Sequence, residues 1–203
     1  MAHGLEIMEH EAFLALKAGA EVIESDSHGE KVLRLTNGHF LKLFRRKRLL
    51  SSALWYPYAR RFVDNAEALV TRGILVPRVL AALRVPSVRR DAVLYQPLAG
   101  MTLRALCQRG LDAGSERRLK RLFTDFVIHL HSLGIYFRSL HLGNVVLTPE
   151  GELGLIDFSD LRIYRRPLPV FMRRRNLRRM LEIPGECEWI DSEAILRAGR
   201  ESV

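Results

Sequence analysis

The sequence predicts an α+β fold in two lobes, a small antiparallel-sheet lobe over residues 1–97 and a reduced helical lobe over 98–203. Three observations predict it. Short apolar runs separated by polar turns fill the first half. Leu119, Leu122, Phe123, Phe126, Val127, Leu130 and Leu133 recur at helical spacing in the second. Between the two, Gln96-Pro97-Leu98-Ala99-Gly100 has the composition of a connector.

The elements follow in order. Residues 9–18 read as a short helix. Val22-Ile23-Glu24 and Lys31 to Leu35 read as strands around the polar turn Ser25 to Glu30. Asn37-Gly38 predicts a type I′ hairpin, because both residues tolerate positive φ, and a third strand follows over 39–44. A helix over 54–72 buries Ala59, Phe62, Val63, Ala66, Leu69 and Val70, with Glu67 on or beside that face and Gly73 ending it. Strands near 78–84 and 92–96 complete the lobe. In the second half Gly134 stops the long helix, and a loop from Ile135 to Gly143 leads to Asn144. Val145 to Leu147 and Leu153 to Ile156 form a hairpin around Thr148 to Glu152, with Asp157 at its end. Residues 168–182 and 191–199 read as helices.

Composition narrows the function. Nearly half the residues are apolar, enough for a packed core. No run approaches the roughly 18 apolar residues of a membrane span. The N-terminal residues lack the basic region and apolar stretch of a signal peptide. Cys107 and Cys187 form no C-x-x-C motif, which points to a reduced, cytoplasmic protein. The net charge of +9 favours polyanions: nucleic acid, acidic lipid or phosphorylated sugar. The charge is concentrated at Arg45, Arg46, Lys47 and Arg48, and in eight arginines between Arg162 and Arg179. No nucleic-acid motif accompanies it, so nucleic acid ranks last. His129 and His131 point to different helix faces, and no Cys/His cluster has zinc spacing.

A lysine in the third strand, a glutamate in the next helix, a long apolar helix, a loop ending in asparagine, a hairpin and then Asp157-Phe158-Ser159 reproduce the order of parts in protein kinases. Leu140-His141-Leu142-Gly143-Asn144 resembles the catalytic-loop segment of kinase-like small-molecule phosphotransferases. More closely, the chain is similar to the bacterial lipopolysaccharide core kinases that phosphorylate heptose or Kdo, and to their short "toluene tolerance" relatives. The main support is Gly134 to Asp157. Phe40-Leu41-Lys42, the Glu67 helix with Gly73 to Pro77, Leu98 to Leu103, and Arg175 to Arg179 add to it.

The resemblance implies a bilobal, protein-kinase-like fold that uses ATP and Mg2+. It implies that Lys42 touches the α- and β-phosphates, that Glu67 holds Lys42 in an ion pair, and that backbone groups from Gln96 to Leu98 receive the adenine. Asn144 and Asp157 would bind the magnesium. The implied acceptor is an anionic sugar or glycolipid. The implied place is the inner face of the inner membrane, with peripheral contact to anionic lipid.

The departures from the pattern bear on activity. Against H-R-D-L-x-x-x-N the chain reads Phe137-Arg138-Ser139-Leu140-His141-Leu142-Gly143-Asn144, so Ser139 stands where the catalytic aspartate belongs. A positioned general base is worth about 10²–10⁴ in rate. His141 and Asp160 are the candidate substitutes. The catalytic set is therefore Ser139, His141, Asn144 and Asp157. The expected behaviour is slow phosphotransfer that Ser139→Asp accelerates, or else a pseudokinase that only binds nucleotide. The segment Ser25 to Glu30 carries only Gly29 where a phosphate loop carries several glycines. The short stretch after Asp157 points to a small or lipid-linked substrate rather than a protein.

Overall fold

The computed structural model describes residues 4–46 and 56–200. It is a mixed α+β structure with a multi-stranded, mainly antiparallel sheet and several helices. Two compact units divide it, Met1–Thr71 with Val76–Leu98, and Arg72–Leu75 with Ala99–Val203.

The first unit holds β1 (Glu6–Ile7), α1 (His10–Lys17), β2 (Glu21–Asp26), β3 (Gly29–Arg34), β4 (Phe40–Arg45), α2 (Tyr58–Val70), β5 (Arg78–Val85) and β6 (Arg90–Gln96). The strands form one sheet in the order β1-β5-β6-β4-β3-β2. Only β1, which the sequence pattern does not predict, runs parallel to its neighbour. Side chains alternate across a strand, and β4 shows the consequence. Leu41 and Leu43 join Phe13, Leu33, Leu83 and Val85 in a core on one face. Phe44 meets Phe62 of α2 on the other face, with ring centroids 6.2 Å apart.

Three details of this unit differ from the expectation. The Asn37-Gly38 hairpin is not type I′: only Gly38 has positive φ, at 82°. The Gly38 N–H donates to the Leu35 carbonyl and the Leu35 N–H to the His39 carbonyl, which makes a three-residue loop with glycine in the left-handed position. The Asn37 side chain is used instead to accept the His39 N–H at 3.0 Å. The turn between β2 and β3 is also tighter, with Ser27 and His28 as its only loop residues and Asp26 opposite Gly29. Asp26 accepts the His28 N–H at 2.7 Å, and this lets the strands pair up to the turn. Finally, α2 buries Ala59, Phe62, Val63, Ala66 and Leu69, but Val70 is exposed at the helix end. Lys47, Arg48, Trp55 and the predicted start of α2 at 54 lie outside the described residues.

The second unit holds β7 (Met101–Thr102), α3 (Leu103–Arg109), α4 (Ala113–Ser132), β8 (Ile135–Tyr136), β9 (Val145–Leu147), β10 (Leu153–Leu155), β11 (Arg162–Ile163), α5 (Val170–Leu181) and α6 (Ser192–Ala198). Asp112 caps α4 by accepting the N–H groups of Gly114 and Ser115. Leu119, Phe123, Val127 and Leu130 of α4 are buried, each contributing roughly 1.5–3 kcal/mol of apolar burial. His129 faces out and His131 faces in. Gly134 is required where α4 ends. Its φ is 73°, and a Cβ there would lie 2.3 Å from the Tyr164 carbonyl oxygen. That close approach lets the Gly134 carbonyl accept the Tyr164 N–H and brings β8 against β11. Strands β10, β9 and β7 make a small sheet. No described helix is long and apolar enough to cross a membrane.

Candidate functional site

In the first unit Lys42 sits mid-strand, opposite Val32 of β3 and Val93 of β6, and is 9 % exposed. Its Nζ lies 5.9 Å from the Phe44 ring centroid and 6.0 Å from that of Phe62. The ammonium group is therefore on the α2 face of the sheet, over aromatic rings that favour a cation. Glu67 lies beside the apolar face of α2, within what its spacing predicts. One residue advances a helix by about 100°, so Glu67 falls at the flank of the stripe through Ala66 and is exposed. Gln96 is the exposed last residue of β6, and Leu98 is half-buried just beyond it. The unit also has a cavity of about 370 Å³ lined by Leu5, Tyr56, Pro57, Arg60, Asp64 and Arg84. None of the candidate residues lines it.

In the second unit the structure gathers Ser139, His141, Asn144 and Asp157 around one loop and hairpin. The loop is anchored before it begins, because β8 pairs with β11 and Phe137 is buried. The Phe137 carbonyl accepts Nδ2 of Asn176 in α5 at 2.6 Å. Asn144 stands just before β9, and β10 runs antiparallel to β9 with Leu155 opposite Val145. This register puts Ile156 beside Asn144, where the Ile156 N–H donates to the Asn144 carbonyl at 3.0 Å. Asp157 is the next residue. It has φ 52°, a left-handed conformation that aspartate tolerates better than most residues but that still costs about 1 kcal/mol or more.

Asn144 is nearly buried, and its Nδ2 donates to the Ser139 carbonyl at 2.9 Å. That bond fixes which end of the amide is nitrogen and turns its oxygen the other way. The amide oxygen of Asn144 and the carboxylate of Asp157 are hard donors. Magnesium takes one or two such protein oxygens and completes its shell with phosphate and water. The pair fits that ion. Among the described residues no cluster of three or more His, Cys, Asp or Glu forms a self-sufficient metal cage.

Ser139 is half-buried, and its hydroxyl donates to Asp160 Oδ2 at 2.6 Å. Arg138 Nε donates to the same oxygen at 3.1 Å. Asp160 Oδ1 is buried with no hydrogen-bond partner.

His141 is arranged differently from the base that the sequence suggested. Its Nδ1 accepts the Gly143 N–H at 3.1 Å and lies 3.3 Å from Arg104 Nη2. Burial lowers its pKa below the ordinary histidine value, and Arg104 adds to the effect while Glu186 and Asp157 oppose it. A neutral ring with Nδ1 accepting carries its proton on Nε2. Such a ring orders the loop and has no lone pair left for an acceptor's proton.

Sequence reasoning missed Glu186. It is buried, accepts Arg104 Nε at 2.6 Å, and accepts the Leu142 N–H at 2.9 Å. It also missed that Arg173, one of the eight clustered arginines, is fully buried. Arg173 donates to the backbone carbonyls of Leu168 and Ile195. Helical spacing held the only hint: Arg173, Asn176, Leu177 and Met180 fall on one face of α5.

No family model matches the chain. It is similar to a 3-deoxy-D-manno-octulosonic acid kinase of Xylella fastidiosa, with 34 % identity over 124 residues, 58 % of this chain and 48 % of the relative. It is also similar to CBL-interacting protein kinase 22 of rice, with 38 % identity over 102 residues, 48 % of this chain and 23 % of the kinase. With human ribosomal protein S6 kinase alpha-1 it shares 28 % identity over 159 residues, 71 % of this chain and 22 % of that protein. The chain thus spans about half the length of the first relative and under a quarter of the protein kinases. A sugar-acid kinase and several protein kinases each resemble part of this chain, and these likenesses support a kinase-like family.

Proposed function

We propose that the protein is an ATP- and magnesium-dependent phosphotransferase acting on a sugar hydroxyl of lipopolysaccharide core or a related envelope glycolipid. The observation that supports this reading is the Ser139–Asn144–Asp157 arrangement, in which a side-chain hydrogen bond orients the Asn144 amide and the hairpin register brings the backbone of Ile156, the residue before Asp157, against Asn144. Phosphoryl transfer is mainly positioning and charge neutralisation. In this reading Asn144 and Asp157 hold the magnesium, which offsets phosphate charge when bound. In the first unit, the kinase-like resemblance gives Lys42 the role of a phosphate contact, Glu67 that of its orienting acid and Gln96 to Leu98 that of the adenine contact. The likeness to the octulosonic acid kinase supports a sugar acceptor. The exposed face of α5 supports an anionic partner: Phe171, Arg174, Arg175 and Arg178 lie at i, i+3, i+4 and i+7, and Phe171 is 71 % exposed. That face suits peripheral contact with anionic lipid at the cytoplasmic side of the inner membrane.

A ligand that binds only the native state raises the melting temperature. Mg-ATP is expected to do so for the wild type and not for Asp157→Ala. An equal shift in both proteins would place the nucleotide elsewhere. The second reading, a nucleotide-binding pseudokinase, is favoured by Ser139. It expects the thermal shift without phosphate transfer from ATP to purified core oligosaccharide.

A further inference from the structure

We infer that Ser139 and Asp160 together replace the missing catalytic aspartate, with Ser139 as the group that meets the acceptor and Asp160 as the base behind it. The inference rests on the phosphotransferase reading above.

Ser139 occupies the loop position from which an acceptor hydroxyl is to be deprotonated. A hydroxyl alone is no base near neutral pH. This hydroxyl is not alone: at 2.6 Å its proton already points at a carboxylate oxygen. Two features suggest that Asp160 is held for chemistry rather than for stability. Its Oδ2 is fixed by both Ser139 and Arg138, which sets its direction. Its Oδ1 is buried without any donor. A buried acceptor left unsatisfied destabilises a fold by about 1–3 kcal/mol and calls for another explanation. The alternative substitute, His141, is taken up by the Gly143 N–H and Arg104.

The step balances as follows. The acceptor oxygen forms a bond to the γ-phosphorus of ATP, and the bond from that phosphorus to the β,γ-bridging oxygen breaks, its electron pair leaving with ADP. The acceptor's proton passes to Ser139 Oγ as the proton of Ser139 passes to Asp160 Oδ2. Asp160 later gives its proton to water. This arrangement reverses the expectation for Ser139→Asp. A second carboxylate in place of the hydroxyl would face Asp160 at hydrogen-bond range, where like charges repel.

The experiment is a charge relocation. Phosphate transfer from ATP to purified core oligosaccharide, and to water, is measured alongside Mg-ATP affinity. Ser139→Ala and Asp160→Asn should each lower kcat by about 10²–10⁴ while leaving the nucleotide Kd within a few-fold. Ser139→Asp should also be slow. The double variant Ser139→Asp with Asp160→Ser keeps one carboxylate and one hydroxyl, and it should recover at least about tenfold over either single change. The nucleotide Kd and the melting temperature, read alongside kcat, separate a proton path from a structural clamp, because losing a clamp in Ser139→Ala or Asp160→Asn would move both and losing a proton path would lower kcat alone. Wild-type rates in Asp160→Asn, or no recovery in the double variant, would overturn the inference. Nucleotide binding without any wild-type transfer would overturn it too, while leaving nucleotide binding intact. A wild type that binds no Mg-ATP would instead remove the phosphotransferase reading.

Discussion

Glu186 reaches back across 44 residues of sequence to accept the backbone N–H of Leu142 at 2.9 Å, inside the loop that carries Ser139 and Asn144. Its other oxygen holds Arg104 of α3 at 2.6 Å. Glu186→Ala would leave a buried N–H and the Arg104 head without their acceptor. Breaking such a pair costs about 3–5 kcal/mol when both charges are buried. Arg104 is 41 % exposed, so solvent reduces this to roughly 2 kcal/mol. Urea denaturation of Glu186→Ala should show that loss, with Glu186→Gln losing less because it retains an acceptor for Leu142.

His131 gives the fold a pH signature. Its pKa is lowered to about 4, first by burial and then by Arg173, against a hydrogen bond to Asn176. In the unfolded chain the same ring takes up its proton near pH 6.5. The unfolded state therefore binds more protons between those values, and stability is full above about pH 6.5 and falls as pH drops towards 4. The difference of about 2.5 pH units corresponds to roughly 3 kcal/mol at the acid end. Denaturation midpoints of wild type and His131→Gln measured from pH 7 to pH 4 should converge as the wild type loses this contribution. Parallel curves would show that His131 does not control it.

Gly134 tolerates no side chain. In Gly134→Ala the new Cβ meets the Tyr164 and Arg166 carbonyl oxygens at 2.3 and 2.7 Å, and the backbone must keep φ 73°. A loss of about 2–4 kcal/mol is expected. It would appear as a drop in melting temperature, together with faster hydrogen exchange at Ile135 and Tyr136.

The α5 face makes a salt-dependent forecast. Co-sedimentation with phosphatidylglycerol vesicles should exceed that with phosphatidylcholine vesicles and weaken as ionic strength rises. Replacing Arg174, Arg175 and Arg178 by glutamate should abolish it, and Phe171→Ser should weaken it. Equal binding of all these proteins would assign the arginines to another role.

Much of this was legible because local periodicity encodes it. The α4 stripe, the hairpin between Asn144 and Asp157 and the helix at α5 all follow from spacing within a few residues. Turn chemistry was read less well. Asn37 was expected to supply a positive φ but instead spends its side chain on the His39 N–H. The supports of the loop were illegible for a different reason. Asn176 lies 39 residues from Phe137, and Glu186 lies 44 from Leu142. Such pairings depend on how β8 meets β11 and on where α5 docks. Arg173 was hidden in the same way, since an arginine within a basic run gives no local sign of lying in the core.

The buried Arg173 ties the middle of the second unit to residues that are synthesised late. It depends for its hydrogen bonds on the carbonyl of Leu168, close by, and on that of Ile195 in α6. Asn176 and Glu186, which brace the loop at Phe137 and Leu142, are likewise made after the loop itself. Domains generally assemble as units once their chain is available. Nascent chains stalled before residue 186 should therefore expose the loop to protease, and full protection should follow only when α6 has emerged to supply the Ile195 carbonyl to Arg173.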